Sequence, residues 1–301
     1  MLPAMKIKFS SLLFCLCISV QGLRAQDAVT DGFSGRIKVL TEYNYKALGL
    51  TAFETKTGYK STVKYDEQGR KLREFSYNPD GSVSSKSVFK TDEAGHVTEE
   101  RNYDANGKYQ YANLYKYDRN GNELWRKQYS PTGIISIKTA SDYDDRGNVV
   151  KEESFNAENR LQNRATWKYD ASDRPVEEVI YDADETETRR SVYVYDTAGN
   201  LKEQRNTIYG ITLKVTFGYD SQGNIVEERS YNAERVLDRR TTYKYDNKGN
   251  ETEQQLFSAD GKLQKTILYR NEYDALGNLI KKTQTDNGRD IVIVRREIQY
   301  Y

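Results

Sequence analysis

The chain has 301 residues, with 46 lysine and arginine residues against 45 aspartate and glutamate residues. This near-neutral balance excludes the strongly basic composition typical of proteins that bind nucleic acid through its phosphates. The mean hydropathy is low, at -0.88, yet 25 residues are tyrosine. A disordered chain would be poor in aromatic residues, so the composition predicts a folded protein that buries tyrosine rings instead of large aliphatic clusters.

Residues 1–25 are predicted to be a signal peptide. Lys6 and Lys8 precede an apolar run over residues 11–20, and we place the cleavage site after Ala25. The apolar run is shorter than the roughly 20 residues that a membrane-spanning helix needs, so a membrane anchor is the weaker interpretation. The sequence therefore predicts an exported protein of the periplasm, cell surface or extracellular space, with no transmembrane segment in the mature chain.

Both cysteines, Cys15 and Cys17, lie inside the predicted leader. After cleavage the chain would contain no cysteine, which excludes a disulfide framework and a thiolate zinc site in the mature protein.

One turn motif recurs along most of the remaining chain. In its fullest form it is YDxxGN, and a weaker copy, such as YDANG at 103–107, begins 12 residues after a stronger one. An aspartate at the first position and a glycine at the fourth predict a type I turn closed by a residue with positive φ. The chain is therefore predicted to form roughly 20 antiparallel strands. The aspartates of the stronger turns are spaced by 26 residues, except for one interval of 24 and one of 28: Asp66, Asp92, Asp118, Asp144, Asp170, Asp196, Asp220, Asp246 and Asp274.

The repeat divides the mature chain into three predicted segments. Residues 26–64 are an N-terminal cap with a degenerate repeat, residues 65–288 are a β-hairpin repeat domain, and residues 289–301 are a C-terminal strand or cap. The stretch 210–218 is predicted to be an irregularity, because the interval shortens to 24 there.

The turn geometry also predicts which side chains meet. Tyr65 should oppose Lys71, and later turns should pair aromatic with aliphatic residues, which predicts one tyrosine face. Trp125 and Trp167 are predicted on that face. The other face should carry a ladder of charge pairs, which are Glu74 with Lys86, Glu152 with Arg164, Glu178 with Arg190, and Glu228 with Arg240.

The motif followed by an apolar residue, as in YDTAGNL at 195–201 and YDALGNL at 273–279, resembles the YD repeat of RHS and teneurin-type proteins. The resemblance covers residues 35–288, with departures where Asp173 replaces the turn glycine and Thr91 replaces the tyrosine. It implies a short, stand-alone, secreted protein of the kind common in Bacteroidota. It also implies an all-β fold in which antiparallel hairpins form an elongated, winding or curled sheet, and carbohydrate binding. A β-propeller-like fold is the alternative.

The residues that could carry chemistry are few. His96 is the only histidine and lies in a turn, and the predicted mature chain has no cysteine. Few residues are therefore available to form a catalytic nucleophile–base pair. We predict no catalytic residue, no metal site and no cofactor. The prominent carboxylates follow the repeat, whereas a catalytic residue should break it.

The predicted function is that of an exported, non-enzymatic protein of the cell envelope or secretome. It would bind carbohydrate or an envelope or secreted protein, and no nucleic acid, through an extended β surface. A structural spacer and a carboxylate-based polysaccharide-active enzyme remain alternatives. A cluster of repeat-breaking acids in one cleft would favour the enzyme, and a groove of exposed aromatic residues would favour binding. Candidate ligand-binding residues, for which core packing is the competing role, are Trp125, Trp167, Tyr115, Tyr193 and Tyr243.

Overall fold

The computed structural model describes residues 32–45, 59–286 and 289–301, and these form 20 β-strands. The predicted leader lies outside the described residues. The strands are β1 Ile37–Asn44, β2 Tyr59–Tyr65, β3 Lys71–Tyr77, β4 Val83–Thr91, β5 Val97–Asp104, β6 Tyr109–Tyr117, β7 Glu123–Tyr129, β8 Ile135–Tyr143, β9 Val149–Asn156, β10 Leu161–Tyr169, β11 Pro175–Asp182, β12 Glu187–Tyr195, β13 Leu201–Ile208, β14 Ile211–Tyr219, β15 Ile225–Tyr231, β16 Leu237–Tyr245, β17 Glu251–Ser258, β18 Leu263–Tyr273, β19 Leu279–Asp286 and β20 Arg289–Tyr300.

The predicted hairpin turns are confirmed. In the first of them, Asp66 accepts hydrogen bonds on Oδ1 from the backbone N–H groups of Gln68 and Arg70 at 3.0 and 2.9 Å. Gly69 takes a φ of 83°, which a glycine adopts without steric cost. Where the repeat lacks this glycine the turn persists with strain, as at Arg235 with a φ of 63°.

The sheet is closed. Each strand pairs with the next one in antiparallel fashion, and β20 pairs with β1 from Tyr300 opposite Ile37 to Val294 opposite Asn44. The prediction of an elongated, winding or curled sheet is therefore wrong, as is the propeller alternative, because the protein is a closed 20-stranded antiparallel barrel. Closure pairs each of the 20 described strands on both sides, so none of them presents an exposed sheet edge. Residues assigned to the two terminal segments supply the closing strands.

Consecutive turns lie on opposite rims of the barrel, because consecutive strands are antiparallel. All nine YDxxGN-type turns lie on one rim, which we call the YD rim, and the weaker turns lie on the other, which we call the weak rim. The barrel therefore has two chemically different ends.

The predicted pairings next to the turns are confirmed, but the charge ladder is wrong. Tyr65 opposes Lys71 as predicted, yet the next pair is Lys64 with Arg73, so one residue is skipped. Such a β-bulge moves all later pairs by one position. The predicted charge pairs fail for this reason: Glu74 opposes Ser87, Glu152 opposes Ala165, Glu178 opposes Ser191, and Glu228 opposes Thr241.

The bulge also changes which side chains share a face. Glu178 opposes Trp167, so glutamates alternate with aromatic residues on the tyrosine face. Trp125 opposes Lys116, whose strand neighbour Tyr115 lies on the tyrosine face. The prediction that Trp125 shares the tyrosine face is therefore wrong. We call the face of Tyr115 and Trp167 the aromatic face and the other the charged face.

The stagger of the strands shows which face points inward. A row of paired residues such as Leu40, Val63 and Glu74 moves away from the YD rim as the strand number rises. Barrel strands coil with a right-handed twist. In a barrel of this handedness, the drift fixes the direction in which the strand number rises around the axis. For L residues, that direction places the Trp167 side chain toward the barrel axis and the Lys168 side chain outward. The aromatic face is therefore the inner wall, and the charged face is the outer wall.

No single core fills the barrel. Buried apolar residues form three separate clusters, each built from neighbouring strands; one holds Val149, Ala165 and Trp167. Within the described residues, every strand contacts only its two sequence neighbours and the closing pair. Barrels of 16 to 18 strands already enclose an aqueous channel, so 20 strands are too many for side chains to fill the interior. The stability of the barrel therefore depends on packing between side chains of neighbouring strands.

The turn tyrosines join one repeat to the one before it. In six repeats the hydroxyl at the end of an even-numbered strand donates to the backbone carbonyl at the start of the preceding strand, at 2.6–2.9 Å. We call these contacts tyrosine bridges, and all lie at the YD rim. They are Tyr117 to Val97, Tyr143 to Glu123, Tyr169 to Val149, Tyr195 to Pro175, Tyr219 to Leu201, and Tyr245 to Ile225.

Candidate ligand-binding site

The structure does not bring the five predicted ligand-binding residues together. Tyr115, Trp167 and Tyr243 are almost fully buried on the inner wall, and Tyr193 is half-buried on the same wall. Trp125 is half-buried on the outer wall, where the ammonium of Lys127 lies 4.4 Å from its ring centroid. They occupy β6, β7, β10, β12 and β16.

Packing accounts for the most buried of these rings. Trp167 contacts Val149 and Ala165 in one of the apolar clusters, and Tyr115 donates its hydroxyl to Oε2 of Glu100 at 3.2 Å. Burial is the first cause that raises the pKa of Tyr115, followed by the charge of Glu100. These rings are part of the wall and leave little surface for a ligand.

A second set of aromatic residues forms a belt on the outer wall, close to the weak rim. In six repeats a lysine or arginine on an even-numbered strand lies over the ring of the aromatic residue that it pairs with on the next strand, at 4.0–5.2 Å. We call these contacts the cation–aromatic belt. Its pairs are Lys60 with Tyr77, Lys86 with Tyr103, Lys138 with Phe155, Arg164 with Tyr181, Lys214 with Tyr231, and Arg240 with Phe257.

The belt is interrupted at Ala112. This residue occupies the position of the basic residue in its repeat and pairs with Tyr129. Among the described residues no cation lies over the Tyr129 ring. Because alanine replaces a long side chain there, the outer wall has a hollow lined by Glu99, Arg101, Tyr103, Tyr109, Ala112, Leu114 and Tyr129. We call it the Ala112 hollow.

Aromatic surface dominates the hollow. The rings of Tyr103 and Tyr109 meet edge to face, with centroids 6.0 Å apart and planes at 64°. Tyr129 borders Ala112 on the other side, and Leu114 lies on the same strand as Ala112. Such a wall of amphipathic rings is typical of sites that combine apolar contact with hydrogen bonding.

Two charged residues line the hollow. Glu99 pairs with Lys90 at 2.5 Å and also accepts the Nε–H of Arg101. Burial tends to raise the pKa of Glu99, but the hydrogen bonds from Lys90 and Arg101 outweigh it and hold that pKa below its usual value. The Arg101 side chain is half exposed. Because two cations share one carboxylate, this group carries a net positive charge.

Repeat-breaking acids occur elsewhere, on the inner wall. Glu123 occupies a position that is apolar in most repeats, and Arg126, 3.9 Å away, occupies one that is usually glutamate or glutamine. Burial raises the pKa of Glu123 and of Glu152. Arg126 also lines a depression together with Asn113, Gln128, Ile137 and Thr139, and none of these five residues carries a carboxylate.

The contacts of His96 are those of a residue that packs between two turns. Its Nδ1 lies 3.0 Å from Oδ2 of Asp92, and its ring stacks on Tyr117 with centroids 4.8 Å apart. Gly121 of the next YD turn leaves room for the imidazole, because a Cβ there would lie 2.8 Å from its Nε2. The side chain thus packs one turn against the next.

Two further features are absent from the part of the chain that the structure describes. That part contains no group of three or more histidine, cysteine, aspartate or glutamate side chains placed to hold a metal ion. Within the same ranges, no helix has the length and apolar composition to cross a membrane.

The sequence contains a signal for the hollow that lies outside the turn motif. Residues 60, 86, 138, 164, 190, 214 and 240 are all basic and lie six residues before a turn aspartate, whereas residue 112 is alanine and residue 268 is leucine at the same position. Leu268 pairs with Thr285, so no aromatic ring is uncovered there. The alanine indicates a site only when the sheet shows that it pairs with Tyr129.

Comparison with known proteins gives distant matches. A family model described as "Uncharacterised protein" matches residues 166–272, less than half of the chain. No curated protein matches. A porin-like protein from Bacteroides uniformis is 11% identical, with 87% of this chain and 98% of that chain covered and a TM-score of 0.40.

Toxin structures also match. The TcdB2-TccC3 structure is 13% identical, with 81% of this chain covered and a TM-score of 0.34. A Photorhabdus luminescens Tc holotoxin pore is 14% identical, with the same coverage and a TM-score of 0.33. This chain covers 18% of each toxin chain. TM-scores at this level do not establish a shared fold.

Proposed function

We propose that this chain is an exported, non-enzymatic binding protein of the cell envelope or secretome, built from hairpins of the YD-repeat type, and that it binds carbohydrate in the Ala112 hollow. The single observation that carries the proposal is the interruption of the cation–aromatic belt at Ala112. A repeat protein keeps the positions that serve its fold alike in each copy. A position that departs from the repeat and opens an aromatic-lined hollow is therefore a candidate for function.

The chemistry of the hollow suits a sugar. The faces of tyrosine rings are electron-rich and attract the polarised C–H bonds on the apolar face of a pyranose ring. In the other belt repeats a lysine or arginine already occupies the ring face. The face of Tyr129 is the one that a ligand could cover without displacing a cation.

The test is a glycan array probed with the full mature chain and with the Ala112→Lys variant. Lysine is the residue of the neighbouring repeats, so the variant should fold, place its ammonium over Tyr129 and lose glycan binding. The matched control is Lys214→Arg, which changes a belt residue in another repeat but keeps a cation over Tyr231, and it should leave glycan binding unchanged. Equal binding by the wild-type protein and Ala112→Lys would contradict the proposal, and so would a wild-type protein that binds no glycan.

A protein partner is the main alternative occupant. It would be indicated if the wild-type chain failed on the array but formed a stoichiometric complex with a purified envelope or secreted protein, and if Ala112→Lys abolished that complex. That result would replace the carbohydrate with a protein ligand at the same hollow. A chain for which neither kind of ligand is found would correspond to a structural spacer.

A further inference from the structure

We propose that the Ala112 hollow selects an acidic saccharide, in which a pyranose ring carries a carboxylate group. The inference rests on the carbohydrate-binding function proposed above, and it adds the charge of the ligand. The sugar ring would lie on Tyr129, and its carboxylate would pair with the guanidinium of Arg101.

Arg101 is placed for this contact. It pairs across the strands with Ala112, which in turn pairs with Tyr129, so the guanidinium-bearing side chain and the uncovered ring lie on either side of the same alanine. The ion pair of Arg101 with Glu99 uses Nε. The guanidinium also interacts with Tyr103, which lines the same hollow. A guanidinium has five N–H donors and can present two of them in parallel to a carboxylate.

The local charge favours an anion. Glu99 is shared between Lys90 and Arg101, so the three groups together carry one excess positive charge. The ammonium of Lys86 lies 4.5 Å from the centroid of the Tyr103 ring and adds a further positive charge beside the hollow. A cationic ligand would be repelled here, and a neutral sugar would gain nothing from these groups.

Two other arginines occupy the same repeat position and do not face a hollow. Arg205 and Arg229 pair with Glu203 and Glu227, as Arg101 pairs with Glu99. Across the strands, however, they oppose the basic residues Lys214 and Arg240, where Arg101 opposes alanine. The combination of an arginine with an open ring face arises at Arg101 because of Ala112.

The experiment is isothermal titration calorimetry of the full mature chain with a trisaccharide of 1,4-linked galacturonic acid and with the methyl ester of the same trisaccharide. The two probes share shape and stacking surface and differ in charge. We expect the acid to bind about three- to tenfold more tightly, since the pair with Arg101 is half exposed. The preference should shrink at 0.5 M salt because the charges are screened.

The variants separate the two proposals. Arg101→Gln should remove the preference for the acid and keep the affinity for the ester, whereas the matched control Arg229→Gln should change neither. Equal affinity for both probes in the wild-type protein, or a preference that survives Arg101→Gln, would overturn the inference and leave the carbohydrate-binding function in place. Absence of any bound glycan on the array would instead overturn the function itself.

Discussion

Residues that look alike in the sequence have different tasks, and the tyrosines show this best. Those at the end of even-numbered strands, such as Tyr169, form the tyrosine bridges of the YD rim. Those at the end of odd-numbered strands, such as Tyr231, accept a cation on the outer wall. The sequence predicted both sets of tyrosines as strand-ending partners in cross-strand pairs, but it did not predict the hydroxyl contacts, because the acceptor is a backbone carbonyl about 20 residues away.

A tyrosine bridge should contribute measurably to stability. Tyr169→Phe removes a 2.8 Å hydrogen bond to the carbonyl of Val149 and keeps the ring, so we expect a loss of about 1 kcal/mol in the free energy of unfolding at pH 7. Tyr231→Phe is the matched control, since the contact of its ring with Lys214 does not need the hydroxyl. Urea unfolding measures both, and equal losses in the two variants would contradict the role of the bridge.

The contribution of the Tyr169 hydroxyl to the free energy of unfolding should depend on pH. Burial is the first cause that raises the pKa of Tyr169 to about 12, whereas a tyrosine in the unfolded chain ionises near 10. The unfolded state therefore releases its proton first, so this stabilisation is complete below about pH 10 and is lost as the pH rises toward 12. We expect the difference between wild type and Tyr169→Phe to shrink over this range. A difference that stays constant would show that the hydroxyl does not ionise later in the folded state.

At the scale of elements, the hairpin of β13 and β14 departs from the others. The shortened interval predicted an irregularity at 210–218, and the structure places a two-residue turn just before β14. Tyr209 and Gly210 have φ values of 46° and 82°, and Ile208 pairs with Ile211 without a bulge. A turn with two positive φ values matches the twist of a hairpin, but it disfavours a tyrosine at the first position.

Replacing that tyrosine should stabilise the hairpin. Asparagine tolerates a positive φ far better than tyrosine, and Asn-Gly is the preferred pair for such a turn, so Tyr209→Asn should raise the free energy of unfolding by about 1 kcal/mol. Tyr209 is highly exposed, so the substitution removes little packing. Tyr209→Val is the control that should destabilise, because a β-branched residue is strained there. Chemical denaturation of the three proteins tests the order, and a less stable asparagine variant would refute it.

At the scale of the whole molecule, closure requires an even number of strands. β1 and β20 pair in antiparallel fashion, and Arg296 binds Glu42 at 2.7 Å across this seam. Removing one complete repeat preserves the alternation of strand direction, whereas removing half a repeat leaves an odd number and makes the closing strands parallel. The barrel should therefore tolerate the loss of whole units only.

Deleting residues 144–169 should give a folded barrel of 18 strands. The deletion joins Tyr143 to Asp170, which restores a YD turn between β8 and β11. We expect cooperative unfolding and a circumference about one tenth smaller, visible by small-angle X-ray scattering. The matched control removes residues 144–155 and joins Tyr143 to Asn156, which should yield aggregation or non-cooperative unfolding. Equal behaviour of the two deletions would mean that the seam does not hold the barrel closed.

The sequence by itself determined the period, the type of turn, the positions of most strands and the first pair beside each turn. These features depend on local chemistry: an aspartate that caps turn amides, and a glycine that takes a positive φ. The prediction of Tyr115 and Trp167 as ligand-binding residues rests on residue type. Residue type alone does not distinguish an aromatic ring that packs in the barrel wall from one that is accessible to a ligand.

Tertiary structure alone decided the rest. The bulges moved the charges by one position, the accumulated twist and stagger brought β20 beside β1, and the resulting curvature turned the tyrosine face inward. The bulges recur beside the turn of nearly every hairpin, whereas closure and curvature depend on small rotations summed over 20 strands, which no single repeat records. The Ala112 hollow belongs to this class, because an alanine becomes a site only when the strands on both sides place Arg101 and Tyr129 around it.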